Sequence, residues 1–74
     1  MIMEAVIEVF KTNVADEHSA GRILAELGVL LPGYRINFDL QDCDKILRVE
    51  GDFVDTMLIL AVLEKNGFAC EVLQ

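Results

Sequence analysis

The stretch YRINFDLQDCDKILRVEG, residues 34–51, decides the fold. Its first half alternates without a break. Tyr34, Ile36, Phe38 and Leu40 fall on one side, and Arg35, Asn37 and Asp39 on the other. Period-two alternation of this kind is the mark of a half-buried strand in an antiparallel sheet, with the apolar side turned inward. QDCD then reads as an Asp-rich turn. KILRVEG is the returning strand, with Leu47 and Val49 inward and Ile46, Arg48 and Glu50 outward. The stretch is therefore expected to be a hairpin.

Upstream, EAVIEVFKT at residues 4–12 reads as a strand. Ala5, Ile7 and Val9 share one face, and Glu4, Val6, Glu8 and Phe10 the other. The second face is partly apolar, and Val6, Phe10 and Ile46 are expected on the open side of the sheet, where they form one candidate interface. Between this strand and the hairpin, Ala20, Ile23, Leu24, Leu27, Leu30 and Leu31 recur at helical spacing over residues 16–31. Asn13 or Asp16 is its expected N-cap, Gly28 weakens its last turns, and Pro32-Gly33 stops it. Downstream, Asp52 is the expected N-cap of a second helix over residues 53–66, with Asp55 in its first turn and Gly67 just past its end. FACEVL closes the chain as a strand, with Phe68, Cys70 and Val72 on one face.

The order β-α-β-β-α-β predicts a ferredoxin-like α+β fold, a four-stranded antiparallel sheet with two helices on one face. No composition shift or linker divides residues 1–74, so the expectation is one domain. The chain is short for a single core, but 54% of its residues are hydrophobic and only five are Gly and one Pro, which argues against disorder. Two Cys cannot staple a secreted module. No basic-then-apolar leader opens the sequence, and no run approaches the roughly 20 apolar residues that span a bilayer. The expectations are a reducing, cytoplasmic address and no membrane insertion. Six Lys and Arg against 13 Asp and Glu give a net charge of −7. That field disfavours nucleic acid and anionic membranes and suits cationic proteins or metal ions.

Pro32-Gly33 after the first helix, the hairpin of residues 34–51, and Gly67-Phe68 at the end of the second helix resemble the heavy-metal-associated domain family over residues 27–72. That family comprises small copper and zinc chaperones and the matching domains of metal-pumping ATPases. The resemblance implies the same fold and, in the family, a metal site of the form Met-x-Cys-x-x-Cys opening the first helix. If Ile23 is the core aliphatic that follows the motif, its three positions fall on Val14, Asp16 and Ser19. None is kept. Thiolates suit the family's site to soft Cu(I), so the site here is degenerate and Cu(I) carriage by the family mechanism is not supported.

Asp16, Glu17 and His18 stand at that junction as potential ligands for a divalent metal, and the expected topology brings Cys43 to the same end. Adjacent side chains splay by about 100° at a helix start and do not readily meet one ion. An ordinary helix cap explains the same residues. Cys70 reads as a core residue and Cys43 as an exposed turn thiol. No nucleophile partners the single His, and no Gly-rich phosphate loop is present, which predicts a protein that is not an enzyme. MLILAVL, residues 57–63, is apolar at seven consecutive positions, more than one buried stripe needs. Met57, Leu60 and Ala61 are therefore the second candidate interface, and an edge of the sheet offers a third place for another chain to pair.

The leading expectation is a small non-enzymatic binding domain that docks to a protein partner or to itself as a homodimer, without a cofactor. One alternative is divalent metal binding through Asp16, Glu17, His18 and Cys43. The other is a small-molecule regulatory module of the ACT type, which shares the strand order.

Overall fold

The computed structural model describes residues 5–73. The elements are β1 (Val6–Thr12), α1 (Glu17–Leu30), β2 (Arg35–Asp39), β3 (Ile46–Gly51), α2 (Thr56–Lys65) and β4 (Cys70–Leu73). The strands form one antiparallel sheet in the order β2-β3-β1-β4. This is the ferredoxin-like arrangement, with β2 and β4 at the edges. Glu4, the first residue of the expected strand, lies outside the described residues.

Register fixes which side chains meet the helices. Phe10 pairs with Leu47 on β3 and Val72 on β4, while Phe38 pairs with Leu47 from β2. Directly paired residues point to the same face. Phe10, Leu47 and Val49 are fully buried with Ile23 and Leu27 of α1 and Ile59 and Leu63 of α2. Both helices therefore cover this one face. The placement of Phe10 and Val6 on the open face is thus corrected: both lie on the helix side, Phe10 at the centre of the core and Val6 at its exposed margin. Both faces of β1 carry apolar residues, so its alternation leaves parity undecided, and the pairing of Phe10 with Leu47 settles it. Ile46 does lie on the open face, yet it is buried among its neighbours there.

Helix ends follow local hydrogen bonding. The Asp16 carboxylate accepts from the Ser19 N–H at 2.8 Å and caps α1. α2 starts later than expected, and Asp55, not Asp52, is its N-cap, accepting from the Leu58 N–H at 3.3 Å. The reason lies just upstream. Val54 is buried, and the Tyr34 hydroxyl donates to the Phe53 carbonyl, so these residues hold the chain out of the helix until Asp55. Tyr34 can lie there because residue 51 is Gly; a Cβ would overlap its ring. At the other end of α2, Gly67 takes φ +89° and its N–H donates to the Glu64 carbonyl, while the Phe68 N–H reaches Leu63 at 2.9 Å. This is a complete Schellman cap.

Glu26 joins the helices. It accepts from Lys65 Nζ at 2.9 Å and from Asn66 Nδ2 at 3.3 Å. The Lys65 bond first, then that from Asn66, holds its carboxyl below the ordinary value of 4.5. A carboxyl depressed in the folded state stabilises the fold above its unfolded pKa, and that contribution is lost as pH falls through the folded value. Thermal unfolding should therefore show a steeper fall in Tm on acidification below pH 4.5 for the wild type than for Glu26→Gln.

Candidate functional site

The sheet has two chemically different ends. At one end meet the β1–α1 junction, the β2–β3 turn and the start of β4. Thr12 ties them together: its N–H donates to the carbonyls of Asp44 and Lys45, and its buried hydroxyl donates to Lys45 at 2.7 Å and accepts from the Val14 N–H at 3.1 Å. Asn13 is not the helix cap. Its Oδ1 accepts from the Ala69 N–H at 2.8 Å and so pins the junction to the β4 lead-in.

This end holds the residues expected to bind metal. Asp16 spends a carboxylate oxygen on the α1 cap, and that bond holds its carboxyl below the ordinary range. Glu17 and His18 are exposed on the first turn. Among the described residues the three do not converge. Among the described residues the only set of at least three such ligand atoms within 4.8 Å of one another is Asp42, Cys43 and Asp44, in the β2–β3 turn. Local bonding accounts for that closeness: Asp39 accepts from the Gln41 and Asp42 N–H groups, and Asp42 from the Asp44 N–H at 2.8 Å. Lys45 closes the turn with φ +48°. Its backbone N–H bonds to the Asp42 carbonyl and its Nζ to the Leu40 carbonyl.

Cys43 and Cys70 are both free thiols, the first exposed and the second half-buried. Burial, and after it Glu71, pushes the Cys70 thiol up to about 11. The thiolate is the reactive form. A thiol reagent at pH 8 should therefore label Cys43 rapidly and Cys70 slowly, read by mass spectrometry of the folded protein. Equal rates would mean that the β4 edge opens.

The opposite end exposes several large apolar side chains, with Asp52 and Asp55 among them. The α1 C-terminus, the entry to β2 and the segment between β3 and α2 meet here, joined by the Tyr34 hydroxyl on Phe53 and by the Tyr34 N–H on Leu31 at 3.2 Å. Val29 is 80% exposed, Met57 74%, Phe53 69% and Leu30 46%. Met57 was legible in the sequence. Of its expected companions on α2, Ala61 is exposed and Leu60 is half-buried against the core. Phe53 was missed, because a helix beginning there counts it as an ordinary first-turn residue. Its signal was the setting GDFVD, an aromatic between two aspartates outside any strand. Asp52 and Asp55 border Phe53 in sequence, and both are exposed.

No helix among the described residues is long and apolar enough to cross a membrane. No family model, no characterised protein and no solved structure matches this chain.

Proposed function

We propose that this chain is a small non-enzymatic docking domain that receives an apolar, basic segment of a protein partner at the end formed by the α1 C-terminus and the α2 N-terminus. The observation that supports this reading is the gathering of Val29, Leu30, Phe53 and Met57, all substantially exposed, at one end of the sheet. Singly exposed hydrophobics are ordinary, but several at one end are a usual mark of an interaction surface. Asp52 and Asp55 beside Phe53, within a chain of net charge −7, favour a cationic partner and oppose a second copy at this place. Fully burying one large apolar side chain is worth about 1.5–3 kcal/mol, so four partial ones offset the cost of association and leave a weak, reversible complex.

The metal reading has less behind it. The residues of the α1 start are occupied or splayed, and the Asp42–Cys43–Asp44 cluster follows from its own turn bonds. Two free thiols accord with a reducing cytoplasm. The test is titration with a synthetic amphipathic Leu/Lys helix, using a Leu/Glu helix of the same pattern as control. The Leu/Lys peptide should bind saturably and the Leu/Glu peptide should not. The double substitution Phe53→Ser/Met57→Ser separates docking at this end from general attraction to an acidic protein.

A further inference from the structure

We propose that β2 is the interface at which two copies of this chain pair, antiparallel and edge to edge, about a two-fold axis through Asn37. Unlike the helix-end docking reading, it rests on the strand sequence and the sheet order.

Among the described residues β2 is an edge strand, bonded only to β3. Its pairs with β3 run without interruption from Arg35–Glu50 to Asp39–Ile46, so no bulge turns the edge away. It contains no Pro. Natural edges are commonly blunted by one of these devices or by extreme shortness.

The sequence of β2 is complementary to itself when reversed. In a pairing centred on Asn37, Arg35 of each copy lies opposite Asp39 of the other, twice per dimer. Ile36 lies opposite Phe38, again twice. Asn37 meets Asn37. Opposite charges and aromatic–aliphatic pairs directly across an antiparallel ladder are stabilising. Alternate residues of the strand point their backbone groups outward, so the pairing adds about four to six backbone hydrogen bonds. An interface in which each copy presents the same patch closes as a dimer and leaves no unpaired β2 edge.

The side chains are available for it. Arg35, Asn37 and Asp39 are exposed, and Ile36 and Phe38 are half-buried at the core margin. Among the described residues Arg35 makes no ion pair. Asp39 spends only Oδ1 on the turn. Beside the edge runs a groove of about 540 Å³, with Ala20, Gly21 and Leu24 of α1 facing Phe38. A Cβ added at Gly21 would meet nothing within 4 Å. The groove thus has room for the apolar side chains that pairing brings across the edge.

Charge reversal tests this against bulk electrostatics. Arg35→Asp takes the net charge from −7 to −9, and Asp39→Arg takes it to −5. Were general repulsion in control, the first change would weaken dimerisation and the second would strengthen it. Pairing at β2 requires both to weaken it, because each sets like charges face to face at two places. The double variant R35D/D39R restores opposition at the original net charge.

The measurement is sedimentation equilibrium under reducing conditions, which removes dimers linked through Cys43, up to millimolar concentration. The wild type should dimerise reversibly. Each single reversal should raise the dimer Kd at least about tenfold, and the double variant should return it to within about threefold of the wild type. Circular dichroism checks the fold of each variant. Should Asp39→Arg unfold through loss of its turn bonds, Asp39→Asn keeps an acceptor oxygen and must still weaken the dimer, as must Arg35→Asp. Hydrogen exchange at amides within residues 35–39 should slow as concentration rises. A wild type that stays monomeric throughout, single reversals of opposite effect, or a folded double variant that does not recover would overturn the proposal.

Discussion

Phe10→Ala is expected to lower folding stability by about 3–5 kcal/mol. Phe10 is fully buried, and its strand neighbours in register are Leu47 and Val72, both part of the same packed layer. Ile23, Leu27, Ile59 and Leu63 close that layer from the helix side. Removing the ring loses its transfer free energy and leaves a cavity that neighbours on two strands and both helices cannot collapse to fill. At 0.05–0.15 kcal/mol per residue, the whole chain has roughly 4–11 kcal/mol of stability. One substitution therefore removes a large share of the total. Urea unfolding should show the midpoint falling at an unchanged slope. A loss below about 1 kcal/mol would instead place Phe10 on the open face and refute the register.

The second large effect separates binding from stability. Phe53→Ser/Met57→Ser should weaken the Leu/Lys peptide complex on the order of a hundredfold. Each substitution should change folding stability by no more than about 0.5 kcal/mol, because both side chains are mostly in solvent. Leu60→Ser is the contrasting case. Leu60 packs against the core, so its replacement should lower stability by roughly 2 kcal/mol and leave the peptide affinity of the folded fraction unchanged. Fluorescence titration and denaturant unfolding of the three proteins separate the two roles. Similar stability losses from all three substitutions would make the α2 surface an ordinary part of the core.

The hairpin was readable because Tyr34 to Leu40 alternates on one side with charges and Asn on the other, and only one parity buries the apolar set. β1 offered no such choice. Ile7 and Val9 compete with Val6 and Phe10, and the answer lay in pairing with Leu47, a long-range contact that no local pattern encodes. The start of α2 was misjudged for a local reason. Two aspartates three residues apart are both good caps, and the buried Val54 gives the role to the second. The Schellman end at Gly67 was plain, since Gly in a left-handed conformation after a helix has little competition.

The candidate sites divide along the same line. Asp16 carried its meaning locally, as a cap, and the absence of thiolates at the helix start was visible at once. Asn13 was read as a rival cap, yet it bonds to Ala69, 56 residues away. The apolar end is tertiary in origin. Val29 and Leu30 belong to one helix end and Phe53 and Met57 to the approach and first turn of another, and only the antiparallel crossing of the helices brings them to one end of the sheet. Met57 stood out in an over-long apolar run, whereas Phe53 needed the true start of α2 to be recognised as exposed.

The most direct test of docking at the apolar end is an amide NMR titration of the reduced protein with the Leu/Lys peptide. Docking there requires saturable shifts concentrated at residues 29–31 and 51–58, with the β2–β3 turn and the start of α1 unmoved. Shifts confined to residues 16–18 and 42–44, or small unsaturable shifts spread over every acidic surface, would contradict it.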